Sequence, residues 1–251
     1  MVRRKRSRSR KTVRELAYSG EREAAFRRSI VLGRHRLAEG KPVEGYSTLS
    51  SAYYSRASSM AAEAHKYKRE SFTCEGGPIL WLLGGIGYLL CWADALCGFS
   101  WALWYSRRTQ HAAGGAGGLS ANQLLVRGAI LARVPARSYK IAAVDCFERV
   151  VRYHADKMAS DNAYALACGA LCELSIYLGR RSEARDWATR AQHAVEHADP
   201  HDHPRVYRAI VLFLRSDDCH EEAAKILCNA RIAAVKRGDW DQVDKLDAMG
   251  A

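Results

Sequence analysis

The sequence predicts an all-α protein with one long apolar helix, and three observations lead there. Pro occurs only five times in 251 residues while apolar residues make up 48%, which suits long helices around a sizeable core. Alternating runs of Val, Ile and Thr, the mark of half-buried strands, are missing. Residues 78–106, PILWLLGGIGYLLCWADALCGFSWALWYS, are 29 consecutive residues with one charge, Asp94. Eighteen or more apolar residues in a row mark a membrane-spanning helix, so a transmembrane segment is expected there, the alternative being a central helix buried within a soluble helical array.

Taken in order, residues 1–12 form a basic tail with Arg3, Arg4, Lys5, Arg6, Arg8, Arg10 and Lys11 and no acid. Such a block repels itself and orders only on a polyanion. Residues 13–77 read as a basic helical pair. The first helix runs from Val13 to Ala38, Gly40 stops it, and Pro42 opens the second. Tyr46, Leu49, Tyr53, Met60, Ala64 and Tyr67 share one face of that second helix. The apolar segment follows, with Trp81 near one end and Trp101, Trp104 and Tyr105 near the other, as an interfacial aromatic belt requires. Gly84, Gly85 and Gly87 would let another helix approach closely. A carboxylate is expensive in lipid, so Asp94 is expected to face a partner, most simply a neighbouring subunit. Residues 107–119 read as a glycine-rich linker.

Residues 120–251 read as short helices separated by tight turns: 120–133, 138–156, 160–178, 182–198, 203–215, 219–237 and 240–248. Ser120, Ser182 and Asp239 are the expected N-caps. An internal repeat runs through them. SEARDWATRA at 182–191 aligns with EEAAKILCNA at 221–230, an offset of 39, and AAVDCFERV at 142–150 is a looser copy. In one unit Leu171, Gly179, Ala184 and Ala191 fall at key positions. In the next Ile210, Ala223 and Ala230 do, with Asp218 in place of the turn Gly. Over residues 120–240 this pattern resembles the tetratricopeptide class of helix-turn-helix repeat. The resemblance implies an α-solenoid-like array in which small residues let helices approach and whose surface binds other proteins.

Charge is unevenly spread. The net charge is +12, and residues 1–77 hold 18 Lys and Arg against 8 Glu. A basic N-terminal half suits phosphate-bearing partners, whether anionic lipid or nucleic acid. The tail also has the Arg- and Ser-rich, acid-poor look of a targeting segment, though no secretory signal is expected because no apolar h-region follows it. The eight Cys form no CxxC pair and read as core residues of a reducing compartment.

Chemistry has little to stand on. His193 and His197 are one helical turn apart, and His201 and His203 follow in HADPHDH. Imidazoles at i, i+4 can share a divalent ion, yet the same residues suit a solvated helix end, and no metal or other cofactor is assigned. The glycines at 114–118 lack the Lys-Ser or Lys-Thr of a phosphate loop. No nucleophile-base arrangement stands out, so neither catalysis nor a small-molecule substrate is expected. The sequence therefore points to a non-catalytic, membrane-anchored helical-repeat protein. It would be a scaffold or accessory subunit of a larger complex on an intracellular membrane, such as that of a mitochondrion, with other protein subunits and membrane lipid as partners. The alternative is a soluble helical-repeat protein that holds nucleic acid in a ribonucleoprotein through its basic N-terminal half.

Overall fold

The structure, a computed structural model, describes residues 21–73, 77–154, 162–195 and 203–250. The basic tail lies outside them, as do residues 13–20 of the expected 13–38 helix. Among the described residues there are ten α-helices and no strand. The chain divides into two compact units, Met1–Leu119 and Ser120–Ala251.

Three helices make the first unit: α1 (Arg22–Ala38), α2 (Pro42–Thr73) and α3 (Gly77–Ala112). The turn between α1 and α2 follows from two residues. Gly40 takes the left-handed conformation (φ +74°), the Lys41 N–H donates back to the Arg36 carbonyl at 2.9 Å, and Pro42 starts α2 without needing a donor. Helix α1 packs on α2 through glycines. A Cβ on Gly33 would sit 2.7 Å from Leu49 Cγ, and one on Gly45 would sit 2.7 Å from Leu37 Cγ. Helix α3 continues to Ala112, so residues 107–112 are helical where a linker was expected. Nothing in RRTQHA breaks a helix. The stop comes at Gly114 (φ +69°), where the Gly115 N–H donates to the Gln110 carbonyl.

Seven helices make the second unit: α4 (Ala121–Arg133), α5 (Arg137–Tyr153), α6 (Asn162–Tyr177), α7 (Arg181–Val195), α8 (His203–Ser216), α9 (His220–Arg237) and α10 (Trp240–Gly250). Consecutive helices pack as hairpins: α4 on α5, α6 on α7, α8 on α9. Each hairpin then packs on the first helix of the next, and α4, α6, α8 and α10 touch in series. Central α6 buries ten of its sixteen residues, which explains why its sequence is apolar all round. Ser120 caps α4 in a capping box with Gln123, and the Gln242 N–H donates to Asp239 Oδ1 at the start of α10. Ser182 is not a cap. Left-handed Gly179 folds the Arg180 N–H back onto Ser175 at once, so α7 begins at Arg181 and Ser182 falls inside its first turn.

The residues singled out from the repeat are all within the core or its turns. Leu171, Ala184 and Ala191 are fully buried; Ile210, Ala223 and Ala230 are nearly so. Ala143 and Val150 of the earliest copy are fully buried too. Gly179 and Asp218 both adopt positive φ, +77° and +60°, and each is followed by an amide that donates to the carbonyl five residues back. Asp218 therefore holds a left-handed turn that Gly would hold more cheaply.

Two predictions concern this core. Ala184 has no free space around it, so Ala184→Trp is expected to destabilise the second unit by about 1–3 kcal/mol or more, read as a lower melting temperature. Cys168 and Cys172 lie one turn apart on α6, and burial pushes each thiol up to about 12. Their neutral form is the one the fold accepts. The stability this lends is fully present below the ordinary thiol pKa of 9.0 and is lost as pH rises toward 12. Alkylation at pH 8 followed by peptide mass mapping should modify exposed Cys228 and leave Cys168 and Cys172 unlabelled until the protein unfolds.

Candidate membrane-contact face

Helix α3 has two apolar faces, and α2 covers one of them. Cys91, Ala95, Gly98, Ala102, Ser106 and Thr109 recur at intervals of three or four and are buried. The seam is close because its residues are small. A Cβ on Gly98 would lie 2.9 Å from the Ala57 Cβ, and the buried Ser50 hydroxyl donates to the Ala102 carbonyl at 3.0 Å. Toward the C-terminal end of α3 the seam becomes aromatic. Tyr105 stacks on Tyr53 (5.6 Å between ring centroids), Tyr46 (6.3 Å) and Trp101 (6.0 Å), and Trp104 meets it edge-on at 4.8 Å. Such pairs add about 0.5–1.5 kcal/mol each beyond the area they bury.

The opposite face is uncovered. Ile86, Leu89, Leu90, Leu96, Trp101 and Trp104 are all exposed by 43% or more, with small exposed Ala93, Cys97 and Ser100 between them. At 1.5 Å per residue the stripe from Ile86 to Trp104 is roughly 27 Å long. A core helix of a water-soluble unit would be mostly buried; only 22% of the apolar window within Gly85–Ala112 is. Burying six half-exposed side chains of this size would stabilise the protein by roughly 5 kcal/mol, an amount left unrealised in water. On the same arc the stripe ends in exposed Arg107, Arg108 and His111, with the Arg108 guanidinium 5.0 Å above the Trp104 ring.

Asp94 has a partner within the chain. Arg56 of α2 reaches it at 3.1 Å, and both side chains are a little more than one-third exposed. The Arg56 guanidinium also lies 4.8 Å from the Phe26 ring of α1, so one arginine ties all three helices together. Within the chain Gly85 makes no close contact: a Cβ there would meet nothing within 4 Å. The close approach is at Gly98, thirteen residues on. Trp81 and Gly84 belong to the first turns of α3, where side-chain surroundings lie outside the described residues.

Two of the four candidate histidines are among the described residues. His193 is exposed on α7, whereas His203 is buried at the start of α8 and packs edge-on to Tyr207 at 6.0 Å. His197 and His201 lie outside the described residues. Among the described residues no group of three or more His, Cys, Asp or Glu is placed to hold a metal ion.

Sequence reasoning missed Arg56, Ser50 and Gly98. Arg56 had a signal: it is the one charge between Tyr46 and Ala62, as Asp94 is within the apolar run. Ser50 and Gly98 had none that separates them from the many small residues nearby.

Comparison with known protein families, with curated proteins and with solved structures finds no match to this chain.

The Gly98 seam can be tested directly. Gly98→Val should force α2 and α3 apart and lower the melting temperature of the first unit by an amount equivalent to about 1–3 kcal/mol. Gly85→Val, facing open space, should be close to neutral apart from propensity. Equal effects at the two positions would contradict the seam.

Proposed function

We propose that this chain is a non-catalytic, membrane-attached helical scaffold, an accessory or assembly subunit in which the first unit holds the membrane and the second binds other proteins. The observation that carries the reading is the uncovered stripe of α3: 27 Å or so of apolar side chain facing away from α2, ending in aromatic and then basic residues. One helix here is long and apolar enough to cross a membrane. The second unit supports the scaffold half. Its hairpins pack in series, with small buried residues at matching points, as helix-hairpin arrays of the tetratricopeptide type do. Such arrays offer an extended surface for protein partners rather than a cleft for chemistry. The basic tail adds attraction to anionic headgroups.

The test is flotation of the intact chain with phospholipid vesicles. Wild type should float, and Leu89→Ser/Leu90→Ser/Leu96→Ser should stay in the dense fraction with its circular dichroism unchanged, since all three side chains are already exposed. Removing residues 2–11 should weaken binding and flatten its dependence on salt. A wild-type chain that is monomeric without detergent, ignores vesicles and binds RNA through its tail would replace this reading with the ribonucleoprotein one.

A further inference from the structure

The packing of α1 bears on how α3 meets a membrane. Helix α1 lies along α2 between the levels of Glu44 and Glu63: Arg36 reaches Thr48 at 2.9 Å and Glu44 at 3.7 Å, and Arg22 reaches Glu63 at 4.0 Å. That same part of α2 packs along the second half of α3, since Ser50 meets Ala102, Arg56 meets Asp94, and Tyr53 lies 6.1 Å from Trp101 and 5.4 Å from Phe26 of α1. Helix α1 carries exposed Arg22, Arg27, Arg28 and Arg34. If α3 stood across a bilayer with this unit intact, those guanidinium groups would sit at hydrocarbon depth, where each is strongly disfavoured. Lying flat removes the conflict. The stripe lies across α3 from the α2 seam, with Trp101 at its edge, and α1, which carries the exposed arginines, packs on α2.

We propose that α3 lies in the plane of one leaflet, stripe toward the acyl chains, and that anionic headgroups hold its C-terminal end through Arg107 and Arg108. The occupant of the stripe is thus a lipid surface bearing negative charge. Charge complementarity argues for that surface: Met1–Leu119 holds 20 Lys and Arg against 9 Asp and Glu, whereas Ser120–Ala251 holds 19 against 18. The half-exposed Arg56–Asp94 pair flanks the stripe, at the depth where headgroups and water can solvate both ions. The three helices together make the amphipathic body that a single interfacial helix makes alone. This inference rests on the membrane reading above and sharpens it from attachment to a mode of attachment.

The experiment measures depth at three points of the stripe in the full-length chain. An environment-sensitive fluorophore is placed on native Cys97, and in separate variants on Leu89→Cys or Trp104→Cys with Cys97 changed to Ser. Exposed Cys228 is changed to Ser throughout, and label position is checked by peptide mapping. Quenching by lipids spin-labelled at graded depths then reports each position in phosphatidylcholine vesicles with and without phosphatidylserine. Positions 89, 97 and 104 should lie at one shallow depth, and both α1 and the second unit should be open to protease from the outer face. Arg107→Gln/Arg108→Gln should weaken binding to the anionic vesicles by roughly tenfold or more, with the circular dichroism still that of a folded helical chain. A depth gradient approaching about 22 Å between positions 89 and 104 means a span and overturns the in-plane mode while leaving membrane attachment standing. Equal binding to neutral and anionic vesicles overturns the headgroup assignment. Label quenching by no lipid, with the chain forming dimers, overturns both this inference and the membrane reading, and assigns the stripe to a second copy.

Discussion

The close seam between α2 and α3 is the constraint on which the first unit depends. Gly98 admits Ala57, Ser50 satisfies a second time the Ala102 carbonyl, and the tyrosines and tryptophans then have room to stack rather than wedge. Once α3 is fixed this way, its rotation is fixed too. One arc of the helix is spent on α2, and the leucines are carried to the other side as a group. The arrangement of α1 follows the same rule, because Gly33 and Gly45 set the distance at which Phe26 reaches Tyr53 and Arg56. A helix that is apolar all round normally signals complete burial. Here half of that apolar surface has no partner among the described residues of the unit, and the functional reading grows out of that imbalance.

The second unit answers the same apolar excess in the opposite way. Helix α6 is as apolar as a core helix can be and is surrounded by α4, α5, α7 and α8. Its neighbours are amphipathic, with small residues wherever a neighbouring helix comes close. Three turns of the unit share one device: a left-handed residue that stops the helix and returns the next amide to the last turn. Gly179, Asp218 and Gly238 all do this. The ion pairs that bridge different parts of the unit, Arg185–Asp217, Glu173–Arg208 and Arg231–Asp247, lie on the surface and add little to stability. Packing, not charge, holds this unit.

Much of the helix layout was legible in the sequence because its punctuation is local. Gly40 with Pro42, Ser120 with Gln123, and the glycines from 114 onward each act within a few residues of themselves. Ser182 misled because its capping role depends on where Gly179 releases the preceding helix, which hydroxyl chemistry alone does not show. The length and apolarity of α3 were equally plain. Its division into a covered and an uncovered face was not. Periodicity cannot divide a helix that is apolar on every side, and the division depends on which small residues meet another helix 40 positions away. The same distance hid the partner of Asp94. A carboxylate in an apolar run suggests an outside partner until the fold brings Arg56 beside it.

The uncovered stripe also gives this chain a history in time. From the moment α3 leaves the ribosome until the stripe is covered, six large apolar side chains face water on a unit whose sequence holds 20 Lys and Arg against 9 Asp and Glu. That interval is when such a surface is captured by chaperones or by other copies of itself. Under the membrane attachment proposed above, supply of the chain must keep pace with the lipid surface, and any excess becomes a burden on quality control rather than a reserve.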